Sequence, residues 1–464
     1  MLIPLKLVRD RPLQQQLFEQ LRDLIASGRL QFGTRVPSTR MLAEQFAVSR
    51  MTVLLTYERL IAEGYLATIP ARGTFVSRLA SAAINCPVDA ESPNRAAPLP
   101  CSGGIGEARI GRPDPALFPI ARWRALMRDA VGRVGARAAI DHAGGAVQLR
   151  RAIAAWLSVS RGMAVAPSQI VLASGRQHAV HLATHLLLFS GARAVVEDPC
   201  DGRVASTYAE AGAEVIAVPV DHAGLRPDRL PDGPAALVHL TPEHQQPLGV
   251  LLSAARRAAV LRWASRAGAV IVAEDPDGEF RYGGMEAPPM MNLDHEGRVI
   301  HVGCFAASLG PWVTMGYLAV PPAMVDAAHA AGRLIDDSAG SVECAALAEF
   351  LQSGAYARHL HRSRKIYMSR RDALLAALQR HFGTTANGSA GLHLAWELPE
   401  DLGDARDFAE HARRCGLEAD TADAANRRVL LLGFGMLSEA RLRSGIARLA
   451  SEAHAFRSAS KRVV

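Results

Sequence analysis

Apolar residues at helical spacing in the first 78 positions predict three helices followed by a hairpin. Leu13, Leu17 and Leu21 recur every four residues, which gives one buried face on an amphipathic helix. Two further helices are predicted after Ser38 and Ser49, because a serine hydroxyl accepts a backbone N–H at a helix N-terminus. Two short apolar segments then predict the hairpin. This order of elements is typical of a winged helix-turn-helix.

Apolar runs of four to five residues alternate with helical stretches through the middle of the chain. Short buried strands separated by helices predict a mainly parallel α/β sheet, with any ligand at the carboxyl ends of its strands. The last third, from about residue 345 to 460, predicts a smaller α+β lobe. The predicted sheet strands include residues 170–173, 194–196, 214–218, 236–240, 269–273 and 299–302.

Residues 79–105 are rich in Ala, Pro and Ser without periodicity, which indicates a linker. We therefore predict a DNA-binding domain at 10–78, a linker at 79–105 and an α/β domain at 106–460. No apolar run is long enough to cross a bilayer, and the N-terminus lacks the features of a signal peptide. Six scattered cysteines indicate reduced thiols rather than a metal site. We expect a cytoplasmic protein without membrane contact.

Positive charge is concentrated at the N-terminus. Residues 1–80 hold 11 lysine and arginine residues against 6 carboxylates, a net charge of +5 within a whole-chain charge of +7. A small basic module is the electrostatic signature of nucleic-acid binding. Arg50 opens the third helix, where a guanidinium can contact a guanine edge. A merely basic surface, or a protein-interaction module, remains the alternative at this point.

Residues 12–76 carry the motifs P-L-x-x-Q-L, P-S-x-R-x-L-A, V-S-R-x-T-V, E-G-Y-L and G-T-F-V. In these motifs the segment resembles the GntR-type DNA-binding domain. The resemblance implies an operator in double-stranded DNA as the partner. It assigns the DNA contacts to Arg40, Ser49, Arg50, Thr52, Arg72 and Gly73.

The stretch HVGCFAASLGPWVTMGYLAVP, residues 301–321, resembles the cofactor-lysine segment of fold-type I aminotransferase domains in MocR-type transcription regulators. The motif there is G-T-F-S-K-x-L-x-P-x-L-R-L-G-Y. Aligned without a gap, the lysine that would hold pyridoxal phosphate (PLP) falls on Ala307. The arginine that would contact the phosphate falls on Thr314. The resemblance extends over residues 106–460 and implies a homodimer.

Further positions of the implied cofactor pocket also depart from the family pattern. Glu274 replaces the aspartate that would pair with the pyridine nitrogen, and Pro276 replaces the tyrosine that would bond the ring oxygen. Asp201 stands where a tyrosine commonly lies near the cofactor. Positions that keep a polar group for a phosphate or an effector are Gly175, Arg176, Gln177, Arg203 and His244.

Lysine occurs only at Lys6, Lys365 and Lys461. A Schiff base needs a primary amine, and arginine cannot replace it because its guanidinium stays protonated. We therefore predict that the large domain is not an enzyme and forms no covalent bond to PLP. Non-covalent PLP binding stays open, because Glu274 could pair with a ring nitrogen and the 175–177 loop could bind a phosphate.

Three hypotheses about function follow. The first is a DNA-binding transcription regulator whose aminotransferase-like domain dimerises and senses a small molecule. The second is a PLP-dependent transferase with an accessory DNA-binding domain, which needs a lysine that this region lacks. The third is a regulator whose large domain is only a dimerisation scaffold. A polar pocket would favour sensing, whereas a pocket filled with apolar side chains would favour the scaffold.

Overall fold

The structure is a computed structural model of the 464-residue chain. The chain forms two compact units, Met1–Ala97 and Pro98–Val464. The predicted linker, 79–105, lies outside the described residues. The structure describes residues 3–8, 11–69, 72–77, 110–137, 144–283, 287–335, 341–384, 386, 388–424 and 427–460.

The first unit is a winged helix-turn-helix, as predicted. Its two strands pair antiparallel to form the wing. Its elements are α1 (Leu13–Ala26), α2 (Thr39–Phe46), α3 (Arg50–Ala62), β1 (Leu66–Ile69) and β2 (Gly73–Val76).

A serine caps the N-terminus of each of the helices α2 and α3. The Ser38 hydroxyl accepts the N–H of Met41 at 3.3 Å, and the Ser49 hydroxyl accepts that of Thr52 at 3.0 Å. Between them Ala47 adopts a left-handed conformation with φ 51°, which ends α2 sharply. The buried apolar core of this unit includes Leu17, Leu21, Leu42, Val53, Tyr57, Leu60 and Leu66.

The second unit is built on an eight-stranded sheet of order β3-β10-β9-β8-β7-β4-β5-β6. Strands β5, β4, β7, β8 and β9 run parallel, which confirms the predicted mainly parallel sheet. The antiparallel β10 lies between β3 and β9. The strands are β3 (Ile170–Ala173), β4 (Arg193–Asp198), β5 (Glu214–Asp221), β6 (Gly224–Leu225), β7 (Leu237–Leu240), β8 (Val270–Asp275), β9 (Val299–Cys304) and β10 (Gly316–Ala319).

Helices cover both faces of this sheet. Val196 and Val272 pack on one face, whereas their chain neighbours Val195 and Ile271 pack on the other. Because successive side chains on a strand point to opposite faces, a sheet covered on both sides needs apolar runs rather than alternation. The helices of the second unit, including those of its C-terminal lobe, are α4 (Ile120–Arg137), α5 (Gly144–Arg161), α6 (Arg176–Leu187), α7 (Gly202–Glu210), α8 (Ala254–Ala267), α9 (Ala306–Leu309), α10 (Val325–Ile335), α11 (Ser341–Gln352), α12 (Ala355–Phe382), α13 (Ala405–Arg414) and α14 (Glu439–Ser460).

The C-terminal lobe holds a separate three-stranded antiparallel sheet of order β11-β13-β12. Helix α12 begins at Ala355, and its first two turns bury Tyr356, His359 and Leu360. The lobe therefore has the α+β character that its sequence predicted. Its strands are β11 (His393–Glu397), β12 (Glu418–Ala424) and β13 (Arg427–Gly433).

A buried arginine on α8 holds the segment that follows β7. Arg257 is fully buried, and its guanidinium donates to Glu243 at 2.9 Å and to the carbonyl oxygen of Pro242 at 2.7 Å. It also donates to the carbonyls of Leu252 and Pro288, at 2.9 and 3.0 Å. One side chain thus satisfies four acceptors, and its hydrogen bonds to Glu243, Pro242 and Leu252 are buried.

We expect Arg257→Met to destabilise the large domain by roughly 3–5 kcal/mol, because it leaves the buried Glu243 carboxylate without its cation. Thermal unfolding followed by circular dichroism measures the change. Adding Glu243→Gln should recover part of the loss, since the second substitution removes the unpaired charge. Equal unfolding midpoints for the single and double variants would contradict this account.

Candidate functional site

The first unit presents arginines around the N-terminus of α3. Arg50 is exposed, and its Nε lies 3.4 Å from the Thr39 hydroxyl. Arg40 is exposed on α2 and pairs with Glu44 at 3.1 Å. An exposed pair of this kind contributes little to stability, so Arg40 can exchange its partner for a phosphate. Arg72 is exposed on the wing.

Two of the predicted DNA contacts bond to each other. The Ser49 and Thr52 hydroxyls lie 2.7 Å apart, and Ser49 also caps α3. Gly73 has φ 114°, and a Cβ there would lie 2.8 Å from Nε of Arg35. The exposed Arg35 therefore lies against the wing. No sequence motif marks Arg35, because only its bridge to Phe75 brings it against the wing.

Helix α3 also exposes apolar side chains that the sequence analysis missed. Met51 is 60% exposed, Leu54 39% and Leu55 42%. They share with Arg50 the first half of the helix. The sequence could have indicated their exposure, because they do not fall at the helical spacing of the buried residues Val53, Tyr57 and Leu60. Ile61, in the second half of α3, is also 38% exposed.

In the second unit, four of the predicted pocket residues meet at the carboxyl ends of β3, β4 and β8. Arg176 begins α6 directly after β3. Asp201 caps α7 after β4, and Glu274 is the last residue but one of β8. The Arg176 guanidinium donates to both Glu274 oxygens, at 2.9 Å for Nη2–Oε2, and to Asp201. Arg203 pairs with the same Asp201 carboxylate at 2.9 Å.

Glu274 is also hydrogen-bonded to His239, which in turn is hydrogen-bonded to Tyr208. Nε2 of His239, on β7, lies 3.0 Å from Oε2 of Glu274. The Tyr208 hydroxyl lies 2.6 Å from Nδ1 of the same imidazole. With Tyr208 donating to Nδ1, the imidazole carries its proton on Nε2 and donates to Glu274. Neither His239 nor Tyr208 stood out in the sequence, because one polar residue within a buried strand or helix gives no signal for the residue that it will contact.

Electrostatics keep this cluster ionised. Burial alone would raise the pKa of Glu274, but Arg176 and the His239 hydrogen bond outweigh it and lower that pKa to about 2. The pKa of Asp201 is likewise lowered, against the effect of burial, by Arg176 and Arg203. Burial opposes the charge on Arg176, yet the two carboxylates raise its pKa. The cluster is therefore two anions and two cations at neutral pH.

The loop before α6, assigned to phosphate binding by resemblance, bonds to its own neighbours. Both the backbone N–H and the hydroxyl of Ser174 lie within 3.0 Å of Nδ1 of His178, at 3.0 and 2.8 Å. The Thr314 hydroxyl donates to the Ser174 carbonyl at 3.2 Å. Gly175 caps α6, and Gln177 donates to the Thr207 hydroxyl at 2.7 Å.

The remaining predicted pocket residues lie apart from this cluster or carry no polar side chain. Ala307 is half-buried on α9 against the main apolar core, and Pro276 is half-buried directly after β8. His244 pairs with Asp277 at 3.0 Å, and its ring lies 5.4 Å from that of His393. None of these contacts includes the Arg176 guanidinium.

The lysine of the second unit that the structure describes is in a different place. Lys365 on α12 lines a surface cavity of about 610 Å³ together with Ser369, Glu439 and Arg443. The cavity lining contains none of the pocket residues above. Among the described residues, no three His, Cys, Asp or Glu side chains are grouped to hold a metal ion. No helix in this part of the chain is both long and apolar enough to span a bilayer.

Comparison with known proteins identifies both units. Residues 13–76 match the family of bacterial regulatory proteins of the gntR family, and residues 112–413 match aminotransferase class I and II. The probable rhizopine catabolism regulatory protein MocR of Rhizobium meliloti is 34% identical over 414 residues, covering 85% of this chain and 83% of that protein. The chain belongs to the MocR-type regulators of the GntR family.

Other members of the family agree with this assignment. The HTH-type pyridoxine biosynthesis transcriptional regulator PdxR of Corynebacterium glutamicum is 33% identical over 390 residues, 83% of this chain and 84% of that protein. A crystal structure of an archaeal alanine:glyoxylate aminotransferase superposes with a TM-score of 0.67 at 26% identity, covering 75% of this chain and 92% of that one. This MocR-type chain is therefore a DNA-binding transcription regulator with an aminotransferase-like domain, a fold associated with PLP.

A second buried carboxylate of this regulator lies behind the cluster. Glu197, on β4, is 3% exposed, and its Oε2 accepts the N–H and the hydroxyl of Thr241 at 3.0 and 2.7 Å. Its Oε1 has no hydrogen-bond partner among the described residues. Burial raises the pKa of Glu197 from 4.5 to about 7, although the Thr241 and Gln245 hydrogen bonds oppose the shift.

We expect Glu197 to make the large domain less stable as the pH rises. Between pH 4.5 and about 7 the folded state binds more protons at this carboxyl than the unfolded chain does. Stability is therefore highest below that window and falls as the pH rises through it. Glu197→Gln should raise the free energy of unfolding at about pH 8 by roughly 3 kcal/mol, with little effect near pH 4.5.

Thermal unfolding midpoints across this pH range measure the difference between variant and wild type. Glu210→Gln removes a carboxylate from an exposed position on α7 and serves as the matched control. A Glu197→Gln effect that is the same at both ends of the range would rule out titration of Glu197.

Proposed function

We propose that this regulator binds its operator as a homodimer and that its large domain works without a Schiff base to PLP. The observation that carries the proposal is the pairing of Glu274. The carboxylate that stands at the ring-nitrogen position already has both oxygens bonded, to Arg176 and His239. Ala307 supplies no amine at the lysine position. The large domain is accordingly proposed not to be an enzyme.

The DNA contacts proposed for this chain follow from the exposed groups around α3. We propose Arg50 as the contact to a guanine edge; its exposed side chain at the start of α3 supports this role. The exposed Met51, Leu54 and Leu55 suit the methyl groups of thymine. The groups proposed to contact phosphates are Arg40, Ser49, Thr52, Arg72 and the Gly73 backbone.

Homodimerisation is proposed from the family and from the geometry of operators. A winged helix-turn-helix monomer reads one half-site, and a dimer reads two with a fixed spacing. A ligand that binds one arrangement of the dimer better than another would change operator affinity by that difference.

The charged side chains in the pocket favour a large domain that binds an effector over one that serves only for dimerisation. Its centre holds charged side chains, Arg176, Asp201, Glu274 and Arg203, rather than apolar ones. The Arg203 side chain is 63% exposed, so it can accept a second anion without leaving Asp201. We propose a small carboxylate as the class of effector. The alternative, a PLP-dependent enzyme or a regulator with non-covalent PLP, needs the Glu274 carboxylate to be released from Arg176.

We expect Arg50→Ala to weaken operator binding by about 1–3 kcal/mol, roughly 5- to 150-fold, because it removes a contact to a base edge. A duplex selected in vitro from random sequence by the wild-type protein supplies the operator. We expect the selection to give two half-sites that contain guanine flanked by A·T pairs. Fluorescence anisotropy at fixed salt concentration measures the affinity.

Arg22→Ala is the matched control for this measurement. Arg22 is partly exposed on α1 and pairs with its neighbour Asp23, so its loss changes the net charge equally. Arg72→Ala should lower affinity for all duplexes alike, because a phosphate contact carries no sequence information. If Arg50→Ala and Arg22→Ala bind the selected duplex equally well, the proposed base contact is wrong.

We expect the wild-type protein to form no borohydride-stable adduct with PLP in this pocket. The test is an absorbance titration with PLP, followed by borohydride reduction and peptide mass mapping. Modification of surface amines such as Lys6 is the background to subtract. A stoichiometric adduct on a residue of the pocket would refute the proposal and make this chain a PLP-sensing regulator.

A further inference from the structure

The guanidinium of Arg176 bonds both to the segment after β4 and to the end of β8. It donates to Asp201, which caps α7 after β4, and to Glu274 at the end of β8. Arg176 itself opens α6 after β3. The ends of three strands are therefore held together by one cation, at the edge of the sheet where ligands of this fold class lie.

We infer that Arg176 occupies the place of the cofactor ring, as an internal cation in the position of a protonated pyridine nitrogen. The ring nitrogen would pair with position 274, and the residue there is bonded at both oxygens by Arg176. A second cation next to Glu274 would be repelled by the guanidinium at close range. PLP and the Arg176 side chain therefore exclude each other.

At the phosphate end of the implied site, Ser174 is already hydrogen-bonded within the protein. The Ser174 N–H and hydroxyl both bond to Nδ1 of His178, and the Ser174 carbonyl accepts from Thr314. A phosphate that bonded to Ser174 would have to displace the His178 side chain. The misfit with PLP therefore lies at the ring end, where the Arg176 guanidinium bonds to Glu274.

Two separate features, Ala307 and the Arg176 side chain, then keep PLP out of this regulator. This inference rests on the proposed function in one respect, namely that the wild type forms no Schiff base. Ala307 removes the covalent anchor. Arg176 fills the place in which the ring would lie and supplies the positive charge that the buried Glu274 needs. Restoring the lysine alone should consequently fail to restore PLP binding.

The experiment compares Ala307→Lys, Arg176→Ala and the double variant, each titrated with PLP, reduced with borohydride and mapped by mass spectrometry. We expect an adduct at position 307 in the double variant, and at least a tenfold weaker or absent one in Ala307→Lys alone. The double variant Ala307→Lys with Arg203→Ala is the matched control, because Arg203 touches Asp201 but not Glu274 among the contacts of the cluster. It should behave like Ala307→Lys.

A second readout does not depend on the lysine. Arg176→Ala leaves Glu274 without its cation, so PLP should raise the thermal unfolding midpoint of this variant and leave that of the wild type unchanged. Arg176→Gln, which keeps a hydrogen-bond donor but no charge, should be rescued in the same way. The Gln variant serves if the Ala variant does not fold.

Equal adduct formation in Ala307→Lys with and without Arg176→Ala would overturn the inference. So would the absence both of an adduct in the double variant and of stabilisation of the Arg176 variants by PLP. Operator binding of the same proteins is measured in parallel. An adduct in the pocket of the wild type would instead refute the proposed function, so the two failures are distinguishable.

Discussion

Buried carboxylates need a cation within reach, and this constraint organises the centre of the large domain. Asp201 and Glu274 lie at the carboxyl ends of the parallel strands β4 and β8, on either side of β7, and both are buried. A carboxylate in such a place is either protonated or paired. Arg176 pairs with both, and lowered carboxylate pKa values follow from that contact. The arrangement of α6 and α7 relative to β8 is tied to this one guanidinium.

The same principle separates the two buried carboxylates of this region. Glu274 has a cation and stays ionised, with its pKa lowered to about 2. Glu197 has only neutral donors, Thr241 and Gln245, and burial raises its pKa to about 7. Two glutamates a few strands apart therefore titrate in different pH ranges, because their partners differ in charge. Net charge and composition would not distinguish them.

In this regulator the DNA-binding domain and the aminotransferase-like domain are separate parts of the chain. The winged helix-turn-helix carries the exposed arginines, whereas the large domain carries a charged pocket whose groups pair with each other. Under the proposal made above, ion pairing within the protein takes the place of interactions that PLP would make. The charged side chains of the pocket pair with each other, so a domain that lacked PLP would carry no uncompensated charge there.

The sequence by itself determined the secondary-structure elements and the absence of a lysine at the cofactor position of the motif. Helical and strand periodicity predicted the winged helix-turn-helix and the parallel sheet, because local burial patterns follow backbone geometry. The absence of lysine between Lys6 and Lys365, and Ala307 at the motif position, are facts of the sequence alone. Only the tertiary structure decided what fills the pocket. Arg176 is 25 residues from Asp201 and 98 residues from Glu274 in the chain. No local sequence pattern predicts which charged residues will form ion pairs, because the fold brings the ends of distant strands together.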